Sequence, residues 1–166
     1  DIPARPIWRT LLGIEYEHAL QILIEADACF DSAPSNWLSL QDSFNDVLVR
    51  QLFVYLDSRG MPGHTRTKGR DGRLIDFGIL LQDGAPFDKT YPPLAALLRD
   101  VHKRRSQLPG SHPYEKKGGA RNRFLKRAEK QQLVNKLKQI YEEMAWIVES
   151  SDKKQGVHTN AIMEVK

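Results

Sequence analysis

Between residues 133 and 148 apolar side chains return every three or four positions: Leu133, Val134, Leu137, Ile140, Tyr141, Met144, Ala145 and Val148. That period is the α-helical one, and the stripe it makes is too wide to leave in water. A chain with such a helix, expected over 122–150, must supply partners for it, and three other segments offer them. Over residues 8–30, Trp8, Leu11, Leu12, Ala19, Ile22, Leu23, Ala26 and Phe30 recur at helical spacing, with Gly13 weakening the pattern. A loop over 31–36 follows. Ser39 with Asp42 three residues on has the form of a capping box. It predicts a second helix whose inner side carries Phe44, Val47, Leu48, Leu52, Tyr55 and Leu56 and which stops at Gly60 and Pro62. From Pro92-Pro93 onward, Leu94, Leu97, Leu98 and Val101 line one face of a third, over 92–106. The apolar run 74–82 reads as a short extra helix, because no partner strand is evident elsewhere. The glycine-rich segment 61–73, with Arg66, Lys68, Arg70 and Arg73, reads as a loop, and so does 83–90. The expectation is an all-α bundle of four main helices plus a short extra helix. It forms one domain over residues 1–151, with a disordered tail over 152–166 where the pattern fades.

Length and composition narrow the class further. A chain of 166 residues buries a core without staples, and 40% apolar with 28% charged residues is ordinary for a soluble globular domain. The single cysteine, Cys29, excludes an intramolecular disulfide and a CxxC metal site, and fits a reducing, cytoplasmic setting. No run approaches the ~18 apolar residues of a membrane span, so no membrane partner is expected. A chain that opens on Asp1 reads as a domain of something longer. Charge is unevenly spread. Residues 1–50 hold eight acids against three bases, whereas residues 101–130 hold ten Lys and Arg against two acids. Such a basic run attracts polyanions, unless it serves only as a solvated face.

Arg105 stands where that run meets the helical stripe. It comes four residues after Val101 and so continues the apolar face, while Lys103 points away and Arg104 lies on the flank. An arginine so placed either pairs with an internal carboxylate or faces a cleft where an anion binds. A short Pro/Gly loop then leads to His112 and Tyr114. Histidine moves protons near neutral pH, and arginine grips phosphate in a bidentate fork. The same residues also suit an ordinary turn.

Arg105, six intervening residues, His112 and then x-Tyr114 resemble the R-x(4–6)-H motif, in its H-x-Y form, of the HEPN superfamily of small helical domains. The phrasing Leu108-Pro109-Gly110-Ser111-His112-Pro113-Tyr114, followed by Glu115-Lys116-Lys117-Gly118, is similar to that family too. So is the motif's position between two helices, and the resemblance covers most of residues 7–150. Active members usually carry Asn, Asp or His directly after the arginine, where this chain has Ser106.

The resemblance implies a metal-independent endoribonuclease that needs no cofactor, of a toxin–antitoxin, phage-defence or stress-response system. It implies a homodimer whose two Arg/His sets line one cleft. Arg105 would hold the phosphate, His112 would move protons, Ser106 would take the helper position and Tyr114 would support His112. In some toxin relatives that tyrosine is modified by a nucleotidyltransferase antitoxin, so an antitoxin or a fused effector or sensor domain is an implied partner. RNA would be gripped by Arg104, Lys116, Lys117, Arg121, Arg123, Lys126 and Arg127. The competing expectation is a non-catalytic HEPN-like module that binds RNA or protein within a larger protein. No GxxxxGK[ST], HExxH or GxSxG is present to suggest other chemistry.

Overall fold

Prolines decide where three of the described helices begin. The computed structural model describes residue 11, residues 16–108 and residues 125–165. Those residues form α1 (Tyr16–Ala28), α2 (Pro34–Ser58), α3 (Phe77–Leu80), α4 (Pro86–Thr90), α5 (Pro92–Ser106) and α6 (Arg127–Val165). Proline occupies the first turn of α2, α4 and α5, where its missing N–H costs nothing and its fixed φ suits the helix. Pro92 also keeps Tyr91 out of helical geometry (φ −128°, ψ 63°), so that one residue ends α4 and opens α5.

The all-α expectation holds, with four long helices, and four boundaries differ from the sequence reading. Helix α2 starts at Pro34, inside the expected 31–36 loop and ahead of the Ser39–Asp42 pair. That earlier start buries Trp37 and Leu38 completely. Ser39 is then interior, its carbonyl accepting from Ser43 Oγ at 3.0 Å, and Asp42 is spent elsewhere. Residues 83–90 contain the helical turn α4 instead of an unbroken loop. The expected helix over 74–82 shrinks to the single turn α3. Leu74 is instead paired with Lys68 in an isolated antiparallel bridge. Finally, α6 runs on to Val165, where a disordered tail was expected, because extending an existing helix is far easier than nucleating one.

The segment before α3 is also more ordered than its glycines suggest. Arg50, projecting from α2, donates from Nη1 to the Thr67 carbonyl (3.2 Å) and from Nη2 to the Ile75 carbonyl (2.6 Å). It thus holds both arms of a turn that Ile75 N–H to Thr67 closes at 2.8 Å. Gly63 is required nearby: φ is +95°, and a Cβ there would meet the Tyr91 ring at 2.6 Å.

Helix α2 is central and packs against α1, α5 and α6. Gln41 accepts from the Tyr141 hydroxyl (3.3 Å), and Tyr55 donates to the Val148 carbonyl (3.3 Å), so α2 and α6 run the same way. Burial, and the negative charge of Asp27, push the Tyr141 hydroxyl pKa far up, so it remains a donor. Helix α5 runs opposite to both. The stripe expected on it is buried at Leu94, Leu98 and Val101, and it packs on α6, where Leu133, Leu137, Ile140 and Met144 are buried. Asp88 on α4 accepts from Gly84 N–H (3.0 Å) and from Arg99 Nη1 of α5 (2.6 Å). These partners, Gly84 first, lower its pKa below the usual carboxylate value. The contact is therefore present above that usual value and fades as pH falls through the lowered one.

Two substitutions test this core in opposite directions. Leu98 is fully buried between α2 and α6, and Leu98→Ala should cost about 2–5 kcal/mol. Asn45 is also fully buried, yet neither its Oδ1 nor its Nδ2 has a hydrogen-bond partner. Replacing an unsatisfied buried amide with an apolar group of similar shape removes a desolvation cost of about 1–3 kcal/mol. Asn45→Leu should therefore raise the urea midpoint at unchanged slope, and Leu98→Ala should lower it.

Candidate active-site groove

After Val101 the inner face of α5 turns polar. His102, Arg105 and Ser106 succeed one another at its C-terminal end, and Arg105 lies one turn beyond His102 on the same side. Asp42, Ser43 and Asp46 of α2 form the facing wall, and Asp76, Phe77, Gly78 and Ile79 form the third side of an open groove of about 450 Å³. Arg105 lines this groove and is half-buried.

His102 and Asp42 form a close pair across this groove. His102 Nδ1 lies 2.9 Å from Asp42 Oδ2, with the carboxylate side chain only 7% exposed and the imidazole 26%. An ionised carboxylate only accepts, so Nδ1 carries the hydrogen, and in the neutral ring Nε2 is left with a lone pair. The Phe77 ring meets the imidazole edge-on with centroids 5.3 Å apart. Nε2 faces Gly78, where a Cβ would come to 3.4 Å from it. The other oxygen of Asp42, Oδ1, is buried in the groove wall without a hydrogen-bond partner. Asp46 is tied to Arg50 Nε at 2.5 Å, and Asp76 is exposed. Ser106 donates its hydroxyl hydrogen to the His102 carbonyl (3.0 Å), so that proton serves the helix end.

The basic run divides into residues with different work. Arg104, expected at the RNA surface, grips Glu129 with Nε at 2.7 Å and Nη2 at 3.1 Å. Glu129 also accepts the Lys126 N–H at 3.3 Å, which is the returning half of a capping box at the start of α6. Lys130 donates to the Phe30 carbonyl (2.5 Å) and to Asp31 (3.2 Å), with its Nζ 2.9 Å from the Phe30 ring centroid. The Lys126 side chain is exposed, and Arg127 opens α6. His112, Tyr114, Lys116, Lys117, Arg121 and Arg123 lie outside the described residues.

The sequence reading missed His102 and Asp42. A signal existed, because His102 follows Leu98 by four residues and interrupts the same stripe that made Arg105 conspicuous. Asp42 was read as a capping residue, and that reading hid its partner.

No protein-family model, curated protein or solved structure matches this chain. Among the described residues, no helix is long and apolar enough to cross a membrane.

The Arg104–Glu129 pair joins α5 to α6, with side chains 11% and 31% exposed. Losing hydrogen bonds to a charged partner at such depth costs about 1–3 kcal/mol. Arg104→Ala and Glu129→Ala should each lower stability by that order. The double variant should cost clearly less than the sum of the two, as a denaturant-measured mutant cycle would read.

Proposed function

We propose that this chain is a metal-independent endoribonuclease of the HEPN kind, from a toxin, phage-defence or stress-response system. The supporting observation is that Arg105, the motif arginine, lines an open groove together with His102, one turn before it on the same helix, which a carboxylate of the facing wall orients. An arginine buried for packing alone has no need of such neighbours. Arg105 holds the scissile phosphate and stabilises the charge that develops on it. The adjacent 2′-hydroxyl attacks phosphorus, the bond to the 5′-oxygen breaks, and a cyclic phosphate and a 5′-hydroxyl result. His112 moves protons in this reaction, and Tyr114 supports it. Lys116, Lys117, Arg121, Arg123, Lys126 and Arg127 grip the strand, and two chains pair so that their Arg/His sets share one cleft.

An oligoribonucleotide digest in EDTA tests this directly. Wild-type protein should leave cyclic-phosphate and 5′-hydroxyl ends, and Arg105→Ala and His112→Ala should each slow cleavage by ~10²-fold or more while RNA binding largely survives. Intact RNA that is nevertheless bound would identify a non-catalytic binding module instead. A monomer at tens of micromolar with full cleavage activity, seen by sedimentation, would remove the shared cleft.

The grip has its own signature. Each phosphate neutralised on a single strand contributes about −0.7 to the log–log slope of affinity against salt, so about four contacts give roughly −3. Replacing Lys116 and Lys117 together should flatten that slope by about one and a half and spare cleavage at saturating RNA. Affinity indifferent to salt would reduce the basic run to a solvated face.

A further inference from the structure

Arg105 and His112 come from the sequence motif, whereas the groove holds a histidine that the motif does not contain. We infer that His102, oriented by Asp42, is a second proton-transferring residue of this groove, taking the proton from the RNA 2′-hydroxyl as it attacks the phosphate held by Arg105. The inference rests on the endoribonuclease reading and names a catalytic residue within it.

Two observations carry it. The Nδ1 contact of 2.9 Å to a nearly buried carboxylate fixes the ring and leaves the lone pair on Nε2, as a general base requires. Nε2 faces Gly78, and the missing side chain there keeps the approach open, since a methyl at that position would stand 3.4 Å from Nε2 and 3.7 Å from Cδ2. The other charged groups around the imidazole are Asp46 from α2, Asp76 ahead of α3 and Arg105 from α5. Asp46 is engaged by Arg50, and Arg105 lies one turn along α5 from His102.

The step balances without any further reactant. The 2′-oxygen forms its bond to phosphorus as its proton passes to Nε2. The bond from phosphorus to the 5′-oxygen breaks, and that oxygen takes a proton from water or from a second acid. His102 then releases its own proton to solvent.

Gly78 supplies the decisive variant. Its backbone is not in the left-handed region, and a Cβ at 3.4 Å from Nε2 makes ordinary contact, so Gly78→Ala should fold with equal or greater thermal stability. It nonetheless places a methyl group over the base. Expected is a fall in kcat at saturating oligoribonucleotide of ~10²-fold with the melting temperature held or raised. His102→Gln should lower kcat by ~10²–10⁴-fold at little-changed RNA affinity and abolish the acidic limb of the kcat–pH profile. Asp42→Asn, which keeps the shape but alters the tautomer, should shift that limb. Should His102→Gln fail to fold, Gly78→Ala still decides. If Gly78→Ala cleaves at the wild-type rate with an unchanged pH profile, His102 is a packing residue and the inference is overturned, while cleavage continues to rest on Arg105 and His112. Wild-type protein that leaves RNA intact overturns both.

Discussion

Helix α2 buries one whole side, and every other long helix takes its place from that surface. Its inner face runs through Leu38, Gln41, Asp42, Asn45, Leu48, Val49, Leu52 and Leu56, the spacing of a stripe wide enough to meet more than one partner. Apolar burial supplies the driving force but no direction, because one leucine packs about as well as another a turn away. Direction comes from the polar residues at the stripe's edges. Gln41 reaches Tyr141 on α6, and its sequence neighbour Asp42 reaches His102 on α5. Two adjacent residues thus fix the register of two helices that run in opposite senses.

The groove follows from how α5 ends. Through Val101 its inner face is apolar and closes on α2 and α6; beyond it, His102 and Arg105 occupy the next inward positions. Charged and titratable side chains cannot be sealed into a core without several kcal/mol of desolvation cost. The bundle therefore opens where they begin. The wall opposite is equally polar at Asp42, Ser43 and Asp46, and the single turn α3 covers only part of the opening with Phe77 and Gly78. The open groove and the incomplete packing are here the same fact.

Much of the fold was legible because its signals are periodic. The α6 and α5 stripes and the stop at Gly60 were visible in the residues themselves. What misled were short patterns with two physical meanings. Ser39 and Asp42 satisfy a capping box on paper, but Pro34 offers an earlier start that buries Trp37 and Leu38. Residues 74–82 are apolar enough for a helix, but Arg50 holds the Ile75 carbonyl in a turn, and only the stretch beyond it coils. Arg105 was recognisable because a charge in an apolar stripe is conspicuous. His102 lies on the same stripe yet escaped, because a histidine is tolerated in cores and its meaning depends on a carboxylate sixty positions away.

That dependence on distant partners also governs how the basic run should be weighed. The ten cations of residues 101–130 look like one field when counted along the chain. In space, Arg104 is neutralised by Glu129, and Lys130 is held by Asp31 and the Phe30 carbonyl. An ion pair at contact distance presents little more than a dipole to a phosphate several ångströms off, and salt screens what remains within about a Debye length. Lys103 and Lys126 stand exposed, and Arg105 faces the groove. The electrostatic pull on a polyanion is therefore weaker near the α5–α6 junction than composition suggests.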